Sequence, residues 1–174
     1  MAHKRLELEL RKTSVDYAMK YIENEAKEEL LSKVDEFVKR IAEEGADYAK
    51  LQILNMRAID TSTLHNSIDI KPGQVISNGS SWIIFTDCYY AQYVEFGTGT
   101  QGAKNPHPSG KGKYNQDLSN KVRNPFNKND PDLGWFYGGT WTSGMASRPF
   151  MYNTAEFLKM DALIKRVAKE VFGK

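Results

Sequence analysis

The feature that most constrains the fold is an apolar stripe in the first third of the chain. Apolar residues recur there every three to four positions, and they are Val15, Ala18, Ile22, Ala26, Leu30, Val34, Phe37, Val38, Ile41 and Ala42. This period predicts an amphipathic helix, for which Thr13 and Ser14 offer an N-cap. The stripe continues to Ile53, with Gly45 as a predicted bend or break. Because isolated helices gain little stability, this helix must pack against a sheet or a neighbouring subunit.

Four other segments have the alternation or composition of β-strands. Residues 6–10 alternate leucine with charged residues, and residues 66–70 and 81–86 are β-branched and aromatic, with Pro-Gly and Asn-Gly turn signals between them. Residues 135–142 predict a hairpin that turns at two glycines. We therefore expect an α+β fold, in which an antiparallel sheet of about four strands packs against the long N-terminal helix and a C-terminal helix.

The C-terminal third contains a long segment without apolar periodicity and then a final helix. Residues 99–133 are rich in Gly, Pro, Asn, Ser and Lys, which predicts an extended basic loop inserted in a single domain of residues 1–174. Apolar residues from Phe157 to Val171, including Met160, then predict the C-terminal amphipathic helix. We expect the loop to be disordered in the monomer, so that deleting residues 103–130 leaves the fold intact.

The composition is that of an ordinary soluble globular protein. The net charge of +2 is too small to indicate nucleic acid or membrane as a partner. One cysteine, Cys88, excludes an internal disulfide framework and any site built from several thiolates. No apolar segment approaches the roughly 20 residues that span a bilayer, and the first residues lack the pattern of a signal peptide. These features predict a soluble intracellular protein that does not contact membranes.

The segment VEFGTGTQG, residues 94–102, contains the spacing G-x-G-x-x-G. A dinucleotide-binding loop needs a strand before the first glycine and a helix opening at the last. Here the preceding residues have a helical pattern, and the residues after Gly102 do not start a helix. We interpret Gly97 as the end of a helix and the following residues as a flexible exit, with no bound cofactor.

The titratable residues form no recognisable catalytic or metal-binding motif. His3, His65 and His107 are scattered, so we predict no metal site and no catalytic residues. Cys88 sits in an apolar run and is predicted to be a packed thiol. Glu95 stands alone among apolar residues, and we interpret it as an exposed helix-end residue, with pairing to a partner and catalysis as alternatives.

Charge is distributed unevenly along the chain. Residues 23–44 contain eight acidic and four basic side chains, whereas residues 101–130 contain six basic and two acidic ones. The two segments are either solvated surfaces or the two sides of a head-to-tail contact between subunits. The alternative function is a nucleic-acid-binding module that uses the basic 101–130 loop, with neighbouring aromatic residues as stacking platforms. A small enzyme is a further alternative.

Three segments in order resemble a tailed-bacteriophage neck and tail-completion family of lambdoid-type phages and prophages. Residues 90–98, YAQYVEFGT, are similar to its Y-A-x-Y-V-E-F-G-T signature, and residues 60–68, DTSTLHNSI, to its D-T-G-x-L-x-x-S-I. Residues 148–151, RPFM, with Ala155 after them, are similar to its entry into the last helix. Ser62 departs from the pattern, because it stands where the family has glycine, which predicts a differently built turn.

The resemblance implies a structural protein of the virion rather than an enzyme. Its members join head to tail, so the expected partners are further copies in a ring of six, the head connector or head-closure proteins, the tail terminator or tail-tube proteins, and DNA in the lumen. The residues that we predict to contact other subunits or partners are Tyr93, Glu95, Phe96, Lys104, Lys111, Lys113, Lys121 and Arg123.

Overall fold

The computed structural model describes residues 12–58, 62–74, 79–110, 122–123, 126–127, 129 and 132–173. In chain order the helices and strands are α1 Lys12–Asn55, α2 Thr63–Asn66, β1 Asp69–Pro72, β2 Trp82–Phe85, α3 Ala91–Phe96, α4 Gly99–Lys104, β3 Val122–Arg123, β4 Leu133–Tyr137, β5 Thr140–Thr142, β6 Gly144–Met145, α5 Phe150–Leu158 and α6 Asp161–Phe172. The fold thus mixes helices and antiparallel strands, as the α+β prediction requires. The strand predicted at residues 6–10 lies outside the described residues.

Strands β1 to β5 form two small antiparallel sheets, so the prediction of one sheet of about four strands is wrong. Strand β1 pairs with β2, whereas β4 lies between β3 and β5 in a separate sheet. The two sheets are separated in the chain by helices α3 and α4, which lie between β2 and β3. Strands β1 and β2 therefore pair with each other, and β3, β4 and β5 pair among themselves. The predicted hairpin at residues 135–142 is confirmed, with Trp135 opposite Thr142 and the turn at Gly138 and Gly139.

Helix α1 is continuous through Gly45, so the predicted break there is wrong. A Cβ atom on Gly45 would lie 2.5 Å from Cδ1 of Ile84 and 3.1 Å from Cδ1 of Leu158. The glycine therefore lets strand β2 and helix α5 approach the helix closely, which offsets its low helix propensity.

Among the stripe residues of α1 whose side chains the structure describes, only those in the C-terminal part are fully buried. Its members Ala42, Ala46, Ala49 and Ile53 are buried, and the last three belong to a core that α2, α3 and Phe150 complete. Farther toward the N-terminus, Phe37 and Ile41 pack against a second cluster on α6, which consists of Leu163, Val167 and Val171.

Residues 23–32 of α1, called the arm below, are all exposed. Beyond the arm, Asp35 contacts the body of the protein, because its carboxylate accepts hydrogen bonds from the Ser80 hydroxyl and from Nε1 of Trp82, the latter at 3.0 Å. Leu30 is 57% exposed although it belongs to the apolar stripe. The arm therefore has no packing partner within the described part of the chain.

The predicted C-terminal helix is divided in two. Helix α5 ends at Leu158, and α6 begins at Asp161 after a turn at Lys159 and Met160. Met160 is 52% exposed, so its predicted place on the apolar face of one helix is wrong. The start of α5 at Phe150, directly after Pro149, confirms the helix entry expected from the R-P-F motif.

Candidate interaction site

The first two glycines of the G-x-G-x-x-G segment allow a close approach of two antiparallel stretches of backbone, which is called the crossing below. Gly97 and Gly99 have φ of 76° and 58°, and a Cβ on either would lie within 2.6 Å of the backbone of residues 143–147. The crossing strand is held by the Met145 amide, which donates to the Thr98 hydroxyl at 3.1 Å. Helix α3, not a strand, precedes the segment, so the context of a dinucleotide-binding loop is missing.

Helix α3 ends at Phe96, before Gly97, as predicted, but the exit after it is not an unstructured loop. Residues 99–104 form α4, and Gly99, Gly102 and His107 are buried. Residues 99–104 of the predicted loop are therefore helical, and His107 packs the residues after them against α3. A deletion that begins at residue 103 would remove Lys104 and His107, and with them the contacts to Asp132 and Glu95.

Glu95 is buried, at 8% exposure, which contradicts its interpretation as a solvent-exposed residue. Its carboxylate accepts hydrogen bonds from the amides of Met151 and Tyr152, both at 2.9 Å. These amides belong to the first turn of α5, where backbone N–H groups lack partners within the helix and favour a negative charge. In the sequence, Pro149 signals the start of a helix, and the free N–H groups of that first turn need a hydrogen-bond acceptor.

His107 connects residues 105–110 to the same carboxylate. Its ring is 4% exposed, and Nε2 lies 3.0 Å from Oε1 of Glu95. The other ring nitrogen, Nδ1, accepts from the Ser109 amide at 3.2 Å and lies 2.7 Å from the Ser109 hydroxyl. Because Nδ1 is an acceptor, Nε2 carries the proton that is donated to Glu95. Sequence reasoning missed this residue because a histidine between two prolines has no local pattern of burial.

The chain Ser109–His107–Glu95 has the connectivity of a nucleophile, a base and an orienting acid. The same groups also have scaffold roles, since Glu95 holds the first turn of α5 and Nδ1 of His107 accepts the backbone amide of Ser109. We therefore interpret the three residues as a clasp between α3, α5 and residues 105–110, and call it the clasp below.

Of the predicted basic contacts, Lys104 is paired within the chain. Its Nζ lies 2.5 Å from Oδ1 of Asp132, a buried carboxylate that also accepts from Nε2 of Gln101 at 2.8 Å. Arg123 lies on β3, opposite Leu133 of β4. The other three predicted basic contacts, Lys111, Lys113 and Lys121, lie outside the described residues.

An open cleft of about 740 Å³ lies beside the signature segment. It is lined by Arg57, Ala58, Tyr89, Tyr90, Tyr93, Val94, Thr98, Trp135, Thr140, Thr142, Gly144, Met145 and Arg148. Tyr89 is 79% exposed and Tyr93 50%, whereas Phe96 packs against the ring of His107. The cleft therefore includes Tyr93 among the predicted contact residues and excludes Glu95 and Phe96.

The charge of the cleft lining comes from arginine alone. Arg57 and Arg148 are the only two charged residues in the lining, and no ion pair within the described part of the chain involves either of them. Tyr90 has a scaffold role, because its hydroxyl accepts the Leu64 amide at 3.1 Å. The surface thus offers exposed tyrosines beside two arginines that form no ion pair with any residue the structure describes.

The remaining candidates do not gather into a site. Cys88 is buried in the core, as predicted for a packed thiol, and His65 contacts Oδ1 of Asn66 at 3.0 Å, while His3 lies outside the described residues. Among the described residues there is no group of three His, Cys, Asp or Glu side chains that could hold a metal ion. None of the described helices is both long and apolar enough to cross a membrane.

Comparison with known proteins identifies one family. Neither the curated proteins nor the solved structures gave a match. Residues 16–97 match the model of the family described as "Bacteriophage HK97-gp10, putative tail-component", a span that includes α1 from residue 16, α2, the β1–β2 hairpin and α3. The residues downstream, with the R-P-F motif, lie outside the match. The match over residues 16–97 confirms the resemblance to a phage neck and tail family.

Proposed function

We propose that this protein is a structural component of the phage neck, in which copies form a ring that joins the head connector to the tail. The observation that carries the proposal is the match of residues 16–97 to a family described as a tail component. That description favours a structural role over an enzymatic one. The ring is expected to contain six copies, with head-closure proteins on one face and tail-terminator or tail-tube proteins on the other.

The exposed residues support a role in protein contacts. Tyrosine, tryptophan and arginine are enriched where protein surfaces bind one another, and all three occur in the cleft lining. The residues that could suggest chemistry, Glu95 and His107, are instead buried in the clasp. The recognisable surface feature is thus an aromatic and basic cleft suited to another polypeptide.

The basic residues of the 101–130 segment are proposed to face the DNA that passes through the ring. The segment contains six basic and two acidic residues, and Lys104 is neutralised by Asp132. Contacts of this kind with phosphates are independent of DNA sequence and weaken as salt rises. The basic residues of this segment would line the lumen of the ring and would not form the contacts between its subunits.

Disruption of the gene in the phage or prophage that carries it tests the joining role. The expected result is DNA-filled heads and complete tails that accumulate separately in electron micrographs, with infectivity restored by the gene supplied in trans. A disrupted phage that still produces joined, infectious particles would refute the proposal. Unattached tails of abnormal length would instead place the protein in control of tail assembly.

A further inference from the structure

The arm carries an apolar and acidic surface that nothing in the described chain covers. Residues 23–32 contain four glutamates and one lysine, and Leu30 and Leu31 are 57% and 37% exposed. Leu30 belongs to the apolar stripe whose later residues Phe37 and Ile41 pack against α6. Helix α6 ends beside Phe37, because the ring of Phe172, its last residue, lies 5.8 Å from the ring of Phe37. The apolar stripe therefore extends beyond the helix that covers it.

The cleft has the complementary character. Its lining combines exposed aromatic rings with Arg57 and Arg148, and no acidic residue of the described chain belongs to it. An amphipathic helix that binds in a groove inserts apolar side chains and places charged ones at the rim. Leucines flanked by glutamates match a cleft of tyrosines flanked by arginines, both in apolar surface and in charge.

The arm cannot reach the cleft of its own molecule. Leu31 and Asn55 belong to the same continuous helix, and Arg57, at the edge of the cleft, follows the end of that helix. At about 1.5 Å per residue, some 36 Å of helix separates Leu31 from Asn55. Contact between the two surfaces therefore requires two copies.

We propose that the arm of one copy docks into the cleft of the next copy. The inference rests on the proposed function, since it names the contact that would build the ring. The two surfaces are different and lie far apart on one molecule, so each copy uses its arm on one neighbour and its cleft on the other. Such head-to-tail contacts close into rings when the rotation per subunit permits it.

Photo-crosslinking tests where the arm binds. A benzophenone amino acid replaces Leu30 in the full chain, and a matched control carries it at Leu51, which is 48% exposed on the same helix. Irradiation of the Leu30 variant should give adducts between copies that map to residues 89–98 or 135–148, and the Leu51 control should not give them. Adducts that map to residues 111–121, or to the arm of a second copy, would overturn the proposal.

Mixing of two variants tests whether the contact is head-to-tail. The arm variant carries Leu30→Ser and Leu31→Ser, and the cleft variant carries Arg57→Glu and Tyr89→Ala, all at exposed positions. Each alone should weaken self-association by more than about tenfold, because apolar burial and charge pairing are lost. Together they should form heterodimers and stop there, since only one arm and one cleft remain intact.

The outcomes separate the docking proposal from the proposed function. If the arm variant alone still forms the rings that the wild-type protein forms, the docking proposal is wrong. It is also wrong if the mixture of the two variants forms no heterodimer. Neither result would contradict the proposed neck role. Separate heads and tails after gene disruption would support the neck role independently of these results. Joined particles after gene disruption would defeat the neck role, whatever the crosslinks show.

Discussion

Ser62 holds a backbone conformation that glycine adopts more easily. Its φ is 62° and its ψ is 0°, in the left-handed region, immediately before α2. In the pattern that residues 60–68 resemble, glycine stands at this place, and glycine adopts such a conformation without a steric penalty. Left-handed backbone costs a residue with a Cβ about 1–2 kcal/mol.

Ser62→Gly is therefore expected to raise the free energy of unfolding by about 1 kcal/mol, since the strain is relieved and no side-chain hydrogen bond caps the helix. Ser62→Ala is the matched control, because it removes the hydroxyl and retains the strain. Urea unfolding followed by circular dichroism measures both. If the glycine variant is no more stable than the alanine variant, the left-handed backbone at residue 62 does not destabilise the fold.

The clasp residue Glu95 should contribute to stability through its charge and its acceptor atoms. Glu95→Gln replaces one acceptor oxygen with a donor that faces the N–H groups of α5 and His107, so a loss of about 1–3 kcal/mol is expected. Glu156→Gln, which removes an exposed ion pair with Lys159, is the control and should leave the stability nearly unchanged, because solvent screens the pair. Equal losses in the two variants would contradict the assignment of Glu95 to a buried clasp.

At the scale of elements, the backbone crossing between residues 97–99 and 143–147 joins the part of the fold matched by the family to the part outside it. Arg148 donates its amide to the Val94 carbonyl at 2.9 Å, and the Ser147 hydroxyl donates to the Glu95 carbonyl at 2.6 Å. Both bonds require the close approach that Gly97 allows. The signature glycine thus supports the shape of the cleft, whose lining includes Val94 and Arg148.

Gly97→Ala tests the crossing against Gly110→Ala. Both glycines have positive φ, 76° and 67°, but a Cβ on Gly97 would lie 2.6 Å from the Ser147 amide nitrogen, whereas a Cβ on Gly110 would have nothing within 4 Å. The Gly110 variant should lose about 1 kcal/mol from backbone strain alone. The Gly97 variant should lose clearly more, in thermal or urea unfolding. Similar losses would mean that the crossing contributes little.

Features that depend on local periodicity or turn chemistry could be predicted from the sequence. The stripe on α1, the turn at Gly138 and Gly139, and the helix that begins after Pro149 are of this kind. The burial of Glu95 could not be predicted in this way, because its partners His107 and Met151 lie 12 and 56 residues away. The separation of the strands into two sheets likewise depends on how α3 and α4 pack.

At the scale of the whole molecule, the proposed ring and its proposed DNA contact should separate experimentally. Changing Lys111, Lys113 and Lys121 together to glutamine should lower salt-dependent binding to a DNA duplex, because three phosphate contacts are lost. Self-association should be unchanged, since it uses the arm and the cleft. The same three positions changed to arginine provide the control and should retain binding. Loss of self-association in the glutamine variant would contradict this separation and indicate that the basic segment lies in the subunit interface.

The central claim is that the exposed features of this chain serve contact with further copies of itself. Electron microscopy of the purified full-length protein, with native mass spectrometry of the same sample, tests that claim most directly. We predict closed rings of uniform stoichiometry that dissociate as salt rises, because the proposed contact pairs an acidic arm with an arginine-containing cleft. A protein that remains monomeric at every concentration and at low salt would contradict it.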